Sequence, residues 1–167
     1  MDAIAEVVED MDLDQKDLSK REAPKEETLQ FVVFRLTREW YGVEITKVKE
    51  VIKVGKITYL PSSPEHIAGI VNLRGYILSV TDLKTIFGLP HEEPTEKTRI
   101  IALESGALET GFLADEVVES IEVPLTKIEP ALLTIPVERA KYLEGQCRAD
   151  DKLIALINVD RVLEKRV

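Results

Sequence analysis

The residue types that most often perform catalysis or bind metals are sparse in this sequence. It contains two histidines and one cysteine. His66 and His91 lie in polar turn segments, which predicts that both are exposed to solvent, and neither stands at a metal-ligand spacing from Cys147. No glycine-rich phosphate loop follows a predicted strand. We therefore expect no enzyme, no cofactor and no metal site; a hydrolase or transferase that uses carboxylates is the remaining catalytic alternative.

One turn carries a side chain that its local structure does not require. Residues 69–78 are typical of a strand, a turn and a second strand. Gly75 supplies the positive φ that such a turn needs, and Asn72 can hydrogen-bond its own backbone there. Arg74 has no such task, and its guanidinium suits a bidentate carboxylate. The carboxylate comes either from a partner protein or from this chain, where an acid on a neighbouring strand, such as Glu50, is a sensible mate.

Charge and composition exclude several classes of function. The net charge of −9 argues against binding nucleic acid, which requires a cationic face. No apolar run is long enough to span a membrane, and the acidic start of the chain is unlike a secretory signal. A single cysteine, Cys147, excludes an intramolecular disulfide framework and is typical of the cytoplasm. We predict that Cys147 is a small buried hydrophobic residue.

Most of the acidity lies in an N-terminal leader. Residues 1–28 contain ten acidic and four basic residues, a net charge of −6, and residues 29–167 contain 21 and 18, a net charge of −3. The leader has no aromatic residue and few β-branched ones, so we expect it to be disordered. The rest of the chain, residues 29–167, is the predicted folded region.

The folded region consists mainly of predicted short strands. Strands are predicted around residues 30–36, 40–45, 48–53 and 76–80, with glycine and proline punctuation that favours barrels over a parallel sheet. Brief helices are predicted around residues 64–70, 82–87, 137–143 and 159–165. Asp82 and Asn158 are the expected N-caps of the second and fourth.

The sequence also repeats itself at two nearly constant offsets. An offset of 69 aligns Gly42 with Gly111, Val48 with Val117, Glu50 with Glu119 and Pro61 with Pro130. An offset of 76 aligns Gly69 with Gly145, Leu78 with Ile154 and Asp82 with Asn158. Matched glycines, prolines and helix caps in one order indicate two related units. We expect two barrel lobes, about residues 29–93 and 94–167, with a groove between them.

Several segments of the chain resemble the CheW family of bacterial chemotaxis coupling proteins. The resemblance extends over about residues 29–167, and its most distinctive motif is the Asn-Leu-Arg-Gly turn at residues 72–75 after an isoleucine- and glycine-containing strand. The other segments that resemble the family are residues 31–36, 40–45, 48–51, 67–71, 81–83, 111–117 and 153–159.

The resemblance implies both a fold and a function. The fold is two five-stranded SH3-like β-barrels that share a hydrophobic core. The function is an adaptor, or scaffold, that binds the cytoplasmic tips of chemoreceptors and the regulatory domain of the histidine kinase CheA, and so lies at receptor arrays through its partners without entering the membrane. Six receptor-binding residues are implied: Val48, Glu50, Gly69, Arg74, Gly111 and Val117. Val43 and Ile45 are the kinase-binding candidates.

Three departures from the family pattern leave the pathway open. Trp40 stands where the family usually has an acidic residue, residues 79–81 replace a proline-containing strand, and the leader is not a core family feature. The chain could therefore serve flagellar chemotaxis or another chemosensory pathway, such as twitching or gliding. A sensory module that holds a small ligand between the lobes is a further alternative, which a packed core between the lobes would count against.

Overall fold

A computed structural model describes residues 26–131 and 135–165 of the chain. The chain is mainly β, as predicted. The described residues form ten strands, which are β1 Thr28–Leu36, β2 Glu39–Glu44, β3 Val48–Lys53, β4 Ile67–Leu73, β5 Tyr76–Thr81, β6 Arg99–Ser105, β7 Leu108–Ala114, β8 Glu116–Pro124, β9 Leu143–Ala149 and β10 Lys152–Ile157. The helices are short: α1 Leu83–Phe87, α2 Val137–Ala140, α3 Val159–Glu164 and the 3₁₀ turns Ile45–Lys47 and Leu125–Lys127.

The strands form two five-stranded sheets that exchange strands between the halves of the chain. The first sheet has the order β8-β1-β2-β10-β9 and the second has the order β3-β6-β7-β5-β4. The expected division into lobes 29–93 and 94–167 is therefore wrong, since each sheet takes strands from both ranges. The physical cause is the parallel pairing of β2 with β10 and of β5 with β7. Parallel neighbours require long crossover connections, and the connection from β2 to β10 carries the chain through all five strands of the second sheet, whereas the connection from β5 to β7 runs through α1 and β6 of its own sheet.

Strands β1 and β6, each next to an edge strand, are buried on both faces, because each contributes to two cores. Successive side chains of a strand point to opposite faces. Phe31 and Val33 of β1 therefore enter the core of the first sheet, and Val32 and Phe34 enter a large cluster shared by both sheets. Strand β6 follows the same rule, with Ile100 in the core of the second sheet. This double burial explains why the sequence of β1 is a continuous apolar run instead of an alternating one.

The predicted repeat is present as repeated geometry. The β4–β5 hairpin turns through positive φ at Arg74 and Gly75, and the β9–β10 hairpin does so at Asp150 and Asp151. Each unit also has a matching isolated bridge, Thr58 with Ile70 in one and Glu129 with Gln146 in the other. Both predicted caps are confirmed: the Asp82 side chain accepts from the amides of Lys84 and Thr85 at the start of α1, and Asn158 accepts from the amide of Arg161 in α3.

Two local predictions are wrong because long-range packing overrides them. The sequence predicts a helix over residues 64–70, but Ile67–Leu73 is a strand that pairs with β5. It also predicts an exposed His66, which has only 6% of its surface exposed. The amide of Asp82 donates to the His66 carbonyl at 2.7 Å, which draws this turn against the molecule. His91 is exposed, and Cys147 is buried, as predicted.

The expected disorder of the leader falls on residues 1–25, which lie outside the described residues. Of the predicted leader, residues 26–28 are described, and Thr28 already belongs to β1. The Glu27 carbonyl accepts from the amide of Leu125 at 2.9 Å. Within the described part of the chain, no helix is both long and apolar enough to cross a membrane.

Gly69 provides a test of the packing between β4 and the Thr58 bridge. A Cβ atom at Gly69 would lie 2.4 Å from the Thr58 carbonyl oxygen, at a φ of +154°. We expect Gly69→Ala to lower the free energy of unfolding by about 1–3 kcal/mol, because the backbone must move. Urea denaturation measures the loss. Gly55→Ala is the matched control, since a Cβ atom at Gly55 would have nothing within 4 Å; equal losses in the two variants would contradict the explanation.

The burial of His66 predicts a pH dependence of stability. Burial lowers the pKa of His66 below its usual value of 6.5. His66 therefore binds a proton more readily in the unfolded chain than in the folded one. The contribution of neutral His66 to the free energy of unfolding is complete above about pH 6.5 and is lost as the pH falls below this value. We expect wild type to lose more stability than His66→Gln between pH 7.5 and 5. Urea denaturation of both proteins across this pH range measures their free energies of unfolding, and contributions from other titrating groups cancel in the difference between the two proteins. If the two free energies change in parallel with pH, the prediction is contradicted.

Candidate docking surface

The turn between β4 and β5 presents Arg74 on a fixed backbone. The Asn72 Oδ1 atom accepts a hydrogen bond from the Gly75 amide at 3.0 Å, as predicted for this turn. Arg74 and Gly75 have φ values of +50° and +89°. The asparagine and the glycine therefore serve the turn, and the Arg74 side chain remains available for an interaction outside it.

Arg74 forms the predicted bidentate ion pair with Glu50. Its Nη1 and Nη2 atoms donate to the two carboxylate oxygens of Glu50 at 2.8 and 2.9 Å. The side chain of Arg74 is 73% exposed, and that of Glu50 is 23% exposed. Glu50 belongs to β3, one edge strand of the second sheet, and Arg74 follows β4, the other edge strand. The pair therefore links the two edges of this sheet on an accessible surface.

A second set of polar contacts surrounds the start of β3. Lys49 Nζ lies 3.1 Å from Glu109 Oε1 and 3.8 Å from Glu104 Oε2, both carried by the β6–β7 hairpin. The same ammonium lies 5.2 Å from the centroid of the Tyr76 ring. The hydrogen bond to Glu109 raises the pKa of Lys49. Sequence reasoning missed these contacts, because they depend on β3 lying beside β6.

Val48 and Val117 occupy equivalent positions in the two sheets. Val48 begins β3 and Val117 lies in β8, and each of these strands is an edge of its sheet. Both side chains are partly buried and pack against the shared cluster. They therefore mark the margin of the shared core, where part of each side chain remains open to a partner.

Gly69 and Gly111 lie on either side of Val80 in neighbouring strands. Gly69 pairs with Val80 in β5, and Val80 pairs in turn with Gly111 in β7. Both glycines are buried. A Cβ atom at Gly111 would lie 2.5 Å from Ile100 Cγ2. Any contribution to binding from these two positions would therefore act through the backbone and the packing of the second sheet, not through direct contact.

The two kinase-binding candidates differ in accessibility. Val43 is 0% exposed and belongs to the shared core, so it cannot itself contact a partner. Ile45, in the 3₁₀ turn that leads to β3, is 37% exposed. Of the two, Ile45 is the residue that the structure places on a surface.

One cluster brings together the residue types of a hydrolase but lacks the arrangement. His91 Nε2 lies 2.7 Å from Asp82 Oδ2 and 3.2 Å from Thr85 Oγ1. A catalytic triad uses one ring nitrogen for the acid and the other for the nucleophile, whereas here the same nitrogen meets both. Asp82 is already engaged as the cap of α1. Over residues 26–131 and 135–165, no group of three His, Cys, Asp or Glu side chains could hold a metal ion.

Comparisons with known proteins agree with this fold. The model of the CheW-like domain matches residues 30–167. The chain belongs to this family. The match spans every strand and helix of the two sheets except the first two residues of β1. The similarity to the family therefore covers both halves of the folded region.

Individual relatives show the same extent of similarity. The chain is 30% identical to the chemotaxis protein CheW of Helicobacter pylori over 147 residues, which is 88% of each chain. It is 31% identical to the CheW of Bacillus subtilis over 136 residues, 81% of this chain and 87% of the relative. The crystal structure of the scaffolding protein TtCheW from Thermoanaerobacter tengcongensis superposes with a TM-score of 0.72 at 37% identity, covering 82% and 88% of the two chains.

The exposure of the Glu50–Arg74 pair predicts a small effect on stability. An accessible ion pair is screened by solvent and contributes up to about 1 kcal/mol. We expect Glu50→Ala and Arg74→Ala each to lower the free energy of unfolding by less than about 1 kcal/mol in urea denaturation. A larger loss in both variants would mean that the pair is a structural element of the second sheet.

Lys84→Ala is the matched comparison for this measurement. Lys84 Nζ lies 2.7 Å from Asp115 Oδ2, and the two side chains are only 8% and 16% exposed. Removing one partner of a buried pair leaves the other charge unpaired, and we expect a loss of about 3–5 kcal/mol. Comparing the stability losses at the two ion pairs distinguishes a pair that is available to partners from a pair that stabilises the fold.

Proposed function

We propose that this chain is a non-catalytic adaptor that couples the cytoplasmic tips of chemoreceptors to the regulatory domain of the histidine kinase CheA. The observation that carries the proposal is the CheW-like match over residues 30–167, supported by 37% identity to a structure described as a scaffolding protein. The protein would act in the cytoplasm and reach the membrane only through its partners. The protein would act by binding its partners and would catalyse no reaction.

The receptor-facing surface is proposed to centre on the Glu50–Arg74 pair. Arg74 is already oriented by Glu50, so little side-chain entropy remains to be lost when a partner binds. Charged groups at the rim of an interface set orientation and selectivity, while apolar groups supply most of the affinity. Val48, two residues before Glu50, and Val117, its equivalent on β8, would supply that apolar contact. Gly69 and Gly111 would support the surface from below.

A separate surface is proposed for the kinase. Ile45 lies at the link between β2 of the first sheet and β3 of the second, three residues before Val48. Val43 would hold this link against the shared core from beneath. Binding two partners through neighbouring surfaces allows one scaffold to transmit a change in either, provided that each partner favours a different state of the assembly. Weak individual contacts would be strengthened by multivalency in an array.

Arg74→Ala tests the receptor-facing surface. We expect the dissociation constant for immobilised receptor-tip fragments to rise about tenfold or more, because a charge-assisted contact is lost, while binding to the CheA regulatory domain stays within about twofold. A pull-down or titration with each partner measures both, and circular dichroism verifies the fold.

Arg148→Ala is the control for this experiment. Arg148 is an exposed arginine beside the equivalent hairpin of the first sheet, and its removal should leave receptor binding unchanged. Unchanged binding in Arg74→Ala would remove Arg74 from the receptor surface without affecting the adaptor function. A wild-type chain that binds neither partner would contradict the proposed function itself.

A further inference from the structure

Each parallel strand pair of the molecule carries a cavity beside it, and the two cavities are related by the repeat. One lies along β2 and β10 and has a volume of about 410 Å³; the other lies along β5 and β7 and has a volume of about 220 Å³. Their linings correspond at the repeat offsets of 69 and 76. Trp40, Tyr41, Leu143 and Ala155 of the larger cavity align with Glu109, Thr110, Ile67 and Ser79 of the smaller. We call the larger one the Trp40 pocket.

The two cavities have opposite chemistry. In the smaller one the hydroxyl groups satisfy one another, with Thr110 Oγ1 lying 2.7 Å from Thr81 Oγ1 and 3.2 Å from Ser79 Oγ. Side chains of α3 and the residue after it form its remaining wall. The Trp40 pocket instead has an apolar wall made by Trp40, Leu143, Leu153 and Ala155. Its volume lies in the range of sites that bind small molecules.

Most polar groups at the base of the Trp40 pocket are paired with one another, although the buried Arg139 Nε atom has no hydrogen-bond partner among the described residues. The Tyr41 hydroxyl donates to the Glu39 carboxylate, which also accepts from Arg139 Nη1 at 3.1 and 3.2 Å. Arg139 Nη2 donates to the Phe87 carbonyl at 2.9 Å. Burial and the bond to Glu39 raise the pKa of Tyr41, so this hydroxyl stays neutral. The base is therefore a rigid floor and not a source of free charge.

Two cationic side chains at the rim of the Trp40 pocket have no salt-bridge partner among the described residues. Arg38, at the β1–β2 turn, is exposed, and Lys152 begins β10 with its ammonium 4.5 Å from the centroid of the Trp40 ring. Neither takes part in a salt bridge with another described residue. The acids of the lining are Glu39, which Arg139 engages, and Asp151. The rim therefore retains positive charge next to an aromatic face.

We propose that the Trp40 pocket binds a small amphipathic anion, whose aromatic or apolar body packs against Trp40 and Leu153 and whose acidic group lies between Arg38 and Lys152. Charge-assisted contacts fix the acidic end, and burial of the apolar body supplies the affinity. The site belongs to the first sheet, whereas Glu50 and Arg74 belong to the second. It is therefore a function additional to coupling, and the two can be tested separately.

The single tryptophan of the chain makes the pocket directly observable. Trp40 is the only tryptophan, so all indole emission comes from this residue, and the rim variants then locate the bound probe. The probe is 8-anilinonaphthalene-1-sulfonate, which has an aromatic body and one anionic group and accepts excitation energy from indole. We expect saturable quenching of Trp40 emission in the full-length protein. The uncharged analogue N-phenyl-1-naphthylamine should bind at least about tenfold more weakly, because it lacks the charge-assisted contact.

The proposal is tested by replacing the two cationic side chains at the rim of the Trp40 pocket. The double variant Arg38→Gln/Lys152→Gln should raise the dissociation constant of the sulfonate probe about tenfold or more. Lys53→Gln/Arg99→Gln is the matched control, since it removes two cations that line a cavity of the second sheet, and it should leave binding unchanged. Circular dichroism verifies both folds. Probe fluorescence without quenching of Trp40, equal binding of the uncharged analogue, or wild-type affinity in the rim variant would each overturn the proposal.

Discussion

The structure depends on one packing constraint, the apolar cluster that the two sheets share. Strands β1 and β6 each bury one face in their own sheet and the other in this cluster. A fully buried large apolar side chain contributes about 1.5–3 kcal/mol relative to an exposed one, so removing either sheet would expose many such residues at once. The halves of the chain also exchange strands, so neither half can complete a sheet by itself. The packed cluster counts against a ligand site between the lobes.

This constraint leaves the outer surfaces free to differ. Duplicated geometry places Arg74 and Asp150 at equivalent hairpin turns. Both residues have a positive φ, although their side chains carry opposite charges. It also places Trp40 and Glu109 beside equivalent parallel strand pairs. The shared interior must keep its shape for both sheets to pack, whereas a side chain beyond it changes only its own surroundings. Two related units can therefore carry different binding chemistry around one shared core.

An adaptor benefits from groups that are oriented but contribute little to stability. The Glu50–Arg74 pair meets this description, since it is bidentate yet accessible. The Lys84–Asp115 pair has the opposite character, because it is buried and holds α1 against the start of β8. A partner can compete for the first pair with small consequences for the fold. The same competition at the second would leave a buried charge without its counterion.

The sequence by itself determined the features that depend on neighbours along the chain or on matched repeats. These include the Asn72–Gly75 turn, the caps Asp82 and Asn158, and the duplication; the two-barrel fold, the family and the Glu50–Arg74 pair came from recognised motifs. Only the tertiary structure decided which strands share a sheet, that Val43 lies in the core, that His66 is buried and that residues 67–70 form a strand. The physical reason is that turn and cap chemistry acts over a few residues, whereas strand pairing and burial depend on segments far apart in sequence.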